Sequence, residues 1–170
     1  MSHPLILALF RDPKSMATAA RAVHALGIDA ANLSVVAKSH EAEGVIAEDV
    51  DGTPGVEFED SRPAARLGEL SGLILAAIAI VMPGTGSLVT AGPLAADLGE
   101  MAGHAAGGVA LMLMKAGLSP ADAAEWQARI HAGAVLLGVH VRAASVEAVE
   151  AVLQQAGAES VARAAWDDGQ

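Results

Sequence analysis

Asp97, Glu100 and His104 are the residues of this 170-residue chain whose types and spacing come nearest to a reactive set. Glu100 and His104 stand four apart, so on a helix their side chains share a face, and Asp97 falls about one turn earlier on the same side. Carboxylate–imidazole sets of this kind ligate Fe, Mn or Zn in helical bundles. Glu69 would complete the set only with a shifted helix register or from another subunit. The doubled Glu-x-x-His signature of di-iron bundles is absent. The plain alternative is a polar patch in the first half of a helix, where acidic residues suit the dipole. The other histidines, His3, His24, His40, His131 and His140, are scattered, and His24 and His131 fall near predicted helix C-termini, where a cation is favoured.

Other chemistries find less support. The chain has no cysteine, which excludes disulfides, thiolate catalysis and Cys-ligated metal. No G-x-S-x-G elbow occurs, and "AGHAAGG" lacks the Lys-Ser/Thr of a phosphate loop. Ten basic against twenty acidic residues give a net charge of −10, which repels phosphate backbones, so nucleic acid is not an expected partner. The 53% hydrophobic content comes with only two Phe, two Trp and no Tyr, so the apolar mass is aliphatic and suited to close helix packing. Trp126 and Trp166 read as core or domain-edge anchors, and Met101, Met112 and Met114 as packing residues of an apolar helix. The reading is of a protein that is not an enzyme, without a cofactor unless a divalent metal sits at Asp97, Glu100 and His104.

The elements that would position any site follow from periodicity. "PLILALF" (4–10) is the length of a buried strand. Asp12 can cap the helix that follows, Pro13 fits its first position and Gly27 can close it, with Met16, Ala20, Val23 and Leu26 as the apolar stripe. "NLSVVAKS" (32–39) reads as a second strand. The order recurs near the C-terminus: "AVLLGVHVR" (134–142) as a strand, a helix capped by Ser145 with Val146, Val149, Leu153 and Ala156 inward, and "ESVARAAW" (159–166) as the closing strand. Two such units predict an α+β fold of the ferredoxin-like kind, a four-stranded antiparallel sheet with two helices on one face, split between 1–40 and 133–170. Between them lie an acidic loop or hairpin at 41–63, an apolar insertion at 64–118, and an amphipathic helix at 119–132. In that helix Ser119 is the cap, Pro120 takes the first position, and Ala123, Trp126 and Ile130 face inward.

The insertion has no charged residue from 70 to 96. A helix over 70–82 would nonetheless be only about 20 Å long at 1.5 Å per residue, against a hydrocarbon core of about 30 Å. Pro83 and Pro93, each beside glycine, interrupt the run, and the next helix, 93–116, carries charge. One full membrane span is not expected. Gly99, Gly103 and Gly107 recur at i, i+4, i+8, and Gly68, Gly72 and Ala76 do the same. Such stripes let two helix backbones approach closely. If Met82 faces Pro93 across the connection, Ala76 meets Gly99, Gly72 meets Gly103 and Gly68 meets Gly107. The expectation is a glycine-zipper helical hairpin whose outer residues, including Leu73, Ile74, Ile78, Val109 and Leu113, are covered by the α/β body, by other subunits or by lipid.

The stretches "LILALFRDPKSMATAARAVHALGIDAANLSVVAK", "MPGTGSLVTAGPLAADLG", "GLSPADAAEWQARIHAGAVLLGVHV" and "GAESV" occur in an order that resembles a bacterial general-stress-protein family. Its members are heat- or low-temperature-induced proteins with a glycine-rich apolar segment inside a small α/β domain. The resemblance covers most of the chain and implies a stress association. It supplies no catalytic residues. The N-terminus, "MSHPLILALFRDP", lacks a basic n-region and reads as a strand, so the expected location is the cytoplasm, with membrane association through the hairpin. The expected protein is a homo-oligomer, or one that sits on or shallowly in a membrane surface. The alternative is a metal- or small-ligand-binding protein.

Overall fold

The computed structural model describes residues 2–38, 78–82, 86–95 and 108–167, and it is a mixed α+β structure. Among the described residues six strands form one sheet: β1 (Ser2–Phe10), β2 (Leu33–Lys38), β3 (Ile78–Met82), β4 (Gly86–Ala91), β5 (Val135–His140) and β6 (Ser160–Asp167). Their order across the sheet is β3-β4-β2-β5-β1-β6, and every neighbouring pair is antiparallel. The first and last parts of the chain therefore interleave, β5 lying between β1 and β2.

The apolar strands owe their composition to burial on both sides. In β1 the side chains alternate across the sheet. Ile6, Ala8 and Phe10 join one core with α1 (Pro13–Ala25) and the C-terminal helix Val146–Gln155. Leu5, Leu7 and Leu9 join a second core with α2 (Gly108–Lys115) and α3 (Pro120–His131). The C-terminal helix is hereafter α4. Leu137 and Val139 of β5 face the first core, and Leu136 faces the second. An antiparallel sheet with a solvated face would alternate apolar and polar residues, whereas these strands are apolar at nearly every position. The two helices of the split domain, α1 and α4, lie together on the first-core side of the sheet, and α2 and α3, from the central part of the chain, cover the other side.

Local chemistry sets the helix ends. Asp12 accepts a hydrogen bond from the Ser15 amide at 2.7 Å, with Pro13 at the first position of α1. Ser119 does the same for α3 through the Asp122 amide at 3.1 Å, and Ala123, Trp126 and Ile130 are its buried residues. The end of α2 closes with the Leu118 amide on the Leu113 carbonyl and the Gly117 amide on the Met114 carbonyl, both at 3.0 Å, with Gly117 at φ +108°. Leu26, expected in the buried stripe of α1, is instead 46% exposed at its C-cap, where the helix has already ended.

The central segment departs most from expectation. Residues 78–82 are strand β3, not the end of a helix, and 86–91, expected as a connection, are strand β4. Met82 pairs with Gly86 and Ile78 with Thr90, so Met82 does not face Pro93. The sequence "IAIVM" is rich in β-branched residues, and once β4 presents an open ladder to it, pairing outweighs its helical reading. The continuous helix expected over 93–116 is also interrupted, because Gly108 has φ +76°, outside the right-handed helical region. Val109 and Leu113, expected on the outside of a hairpin, are fully buried in the second core.

Two close approaches tie this segment to the sheet. Gly92 has φ +81°, and a Cβ there would stand 1.9 Å from the Leu33 carbonyl oxygen. The chain then starts a helical turn at 93–95, whose Leu94 amide donates to the buried Ser34 hydroxyl at 3.1 Å. Leu94 in turn rests over Gly138 of β5, where a Cβ would meet its Cδ1 at 2.9 Å.

Candidate functional site

The sequence-predicted site residues mostly lie outside the described residues. This holds for Asp97, Glu100, His104 and Glu69, and for Gly68, Gly72, Ala76, Pro83, Gly99, Gly103 and Gly107. Pro93 is described, half-buried, and begins the helical turn at 93–95. Among the described residues no group of three or more His, Cys, Asp or Glu stands close enough to hold a metal ion. Among the same residues no helix is long and apolar enough to cross a membrane.

What the fold does assemble is a polar cluster at the end of the sheet where β1 begins and β5 and β6 end. Pro4 shapes this end. Its carbonyl accepts from the Val141 amide at 3.0 Å, but proline cannot donate in return, and the regular β1–β5 register stops at Leu5 opposite His140. His3 and His140, 137 positions apart, meet here with Nε2 of His3 3.1 Å from Nδ1 of His140. Their ring centroids are 5.3 Å apart, so each ring aims its nitrogen at the other along a hydrogen bond. His140 is buried and stands edge-on to the Trp166 ring, at 5.5 Å and an interplanar angle of 90°.

Beside this cluster a groove of about 670 Å³ runs between the start of β1, the end of β6 and the first turn of α4. Pro4, Val146, Ala143 and Ala144 give it an apolar lining over the buried Ile6, and His3, Glu147 and Arg163 are its charged or titratable groups. Arg163 is fixed from behind. Its Nε and Nη2 donate to the two carboxylate oxygens of Glu150 at 2.6 and 2.7 Å, the bidentate geometry that guanidinium and carboxylate favour. That hydrogen bond holds the Glu150 carboxyl below its ordinary value and, together with the charges of Glu150 and Glu147, raises Arg163. The pocket is open and its charges are mixed, which suits binding of a small polar molecule better than chemistry in a dry site.

The histidine pair and the groove were not legible as a site. Each histidine looked isolated in the sequence, and only the β1–β5 register joins them. Had that register been known, Leu5 opposite His140 would have placed His3 nearby.

Comparisons with protein families, with curated proteins and with solved structures found no match to this chain. The functional reading therefore rests on the geometry and the sequence.

Proposed function

We propose that this chain is a non-enzymatic, stress-associated protein that works by association, either with copies of itself or with a membrane surface, through its central apolar segment. The observation that carries this reading is the edge on which the sheet ends. Among the described residues β3 is the last strand, and Ile78, Ala79, Ile80, Val81 and Met82 give it no charge, proline or glycine. A strand of that kind at a sheet edge is a template for pairing with another strand, and proteins that avoid such pairing place a charge or a proline there. Gly68, Gly72 and Ala76 precede it in the sequence, and Gly99, Gly103 and Gly107 follow; the proposal keeps them as positions for close packing in the assembly.

The body that carries this edge we read as an elaborated ferredoxin-like domain. The order β2-β5-β1-β6, with α1 after β1 and α4 after β5, supports that reading, and β3, β4, α2 and α3 are then the insertion. The cytoplasm, with membrane association, is the location the proposal implies.

Light scattering after size-exclusion chromatography, on protein made without detergent, tests the association. A discrete assembly of several subunits is expected, or flotation with lipid vesicles if lipid is the partner. A monomer that does not float would rule the proposal out.

A further inference from the structure

We propose that the groove between β1, β6 and α4 binds a small zwitterion, a molecule carrying one carboxylate, one ammonium group and a short aliphatic body, such as an aliphatic α-amino acid. The inference stands apart from self-association, since it concerns the other end of the sheet order.

Three features of the groove determine the ligand class. The first is Arg163, whose Nε and Nη2 are engaged by Glu150, leaving Nη1 outside that pair and held in place by it. A guanidinium fixed this way binds a second carboxylate with less loss of side-chain freedom than a mobile one. The second is Glu147, which lines the same groove three positions before Glu150 on α4 and offers an acceptor for an ammonium group. A plain anion would meet Glu147 as repulsion, and a plain cation would meet Arg163; a molecule with both charges satisfies both. The third is the apolar lining of Pro4 and Val146, beside the small side chains of Ala143 and Ala144, which takes a short aliphatic body. A volume of about 670 Å³ holds a ligand of this size, together with water.

The test uses the full-length protein and three probes, L-valine, isobutyrate and isobutylamine, which carry both charges, the carboxylate alone and the ammonium alone. Amide chemical shifts of Ala143, Ala144, Val146, Ala164 and Ala165 report occupancy. Saturable shifts are expected with L-valine at millimolar concentration, with weaker binding of either single-charge probe. Arg163→Gln should weaken L-valine at least about tenfold, the loss of one charge-assisted hydrogen bond. Glu150→Gln should weaken it less, by releasing Arg163. Glu147→Gln should remove the preference for L-valine over isobutyrate while leaving isobutyrate bound at least as well. Spectra that otherwise match the wild type would show that each variant is folded. No saturable shift with L-valine in the groove, or L-valine binding unchanged by Arg163→Gln, would overturn the proposal.

Discussion

The two edges of the sheet are made differently. At β6 the edge is guarded: Arg163 lies on it in an ion pair with Glu150, and the Ala165 amide is taken by the Ala116 carbonyl at 2.9 Å, so the α2–α3 connection lies across the strand. At the start of β6, Arg129 of α3 donates to Ser160 at 3.0 Å and pairs with Glu159, the residue before the strand. At β3, among the described residues, five apolar residues end the sheet and no charge interrupts them. A chain that protects one edge with charge and backbone capping has the means to protect the other. That it leaves β3 uncharged is the reason for placing association there.

The comparison can be broken at the two glycines that anchor the two sides. Gly92→Ala should have the largest effect, a loss of about 3 kcal/mol or more in chemical denaturation, because its Cβ would strike the Leu33 carbonyl and its φ is positive. Gly117→Ala, next to the Ala116 carbonyl that caps β6, shares the positive φ but meets nothing within 4 Å. It should lose only about 1 kcal/mol, the conformational term alone. Equal losses at the two positions would mean that the close approach at Gly92 relaxes freely.

Thr90→Val sharpens the account of the β4 side. The Thr90 hydroxyl is fully buried and has no hydrogen-bond partner among the described residues. Replacing it by a methyl group of the same shape should raise stability by about 1 kcal/mol, read as a higher Tm. A lower Tm would show that the hydroxyl is satisfied. Arg163→Ile tests the guard on β6: stability should change little, as for exposed ion pairs, while concentration-dependent association should increase. The smallest effect is on pH. The Arg163 hydrogen bond depresses the folded Glu150 carboxyl, so whatever the pair contributes is present above the ordinary value of 4.5 and fades as pH falls through the lower folded value. An NMR titration of Glu150 should show a midpoint below 4.5, moving up in the Arg163→Ile protein.

The α/β body was largely legible because its signals are local. Asp12, Ser119 and Gly27 mark helix ends through their own backbone chemistry, and the apolar stripes of α3 and α4 place their buried faces. The sequence also held evidence for cover on both sides of the sheet, since "PLILALF" does not alternate, and α2 and α3 supply the cover opposite α1 and α4. The central segment was misread for a physical reason. A short apolar run fits a helix or a strand equally well, and β2, which lies about forty residues before β3, supplies through β4 the ladder that decides it. The histidine pair was not legible for the same reason, since it exists only across a non-local register.

The most direct test of the central claim is the size of the Ile80→Lys protein beside the wild type, by light scattering without detergent, with circular dichroism to show that both are folded. The account predicts that the wild type is an assembly of several subunits and that the folded variant, with a charge at the middle of β3, is smaller. A wild type and a variant of the same size, both folded, would contradict the placing of association at this edge.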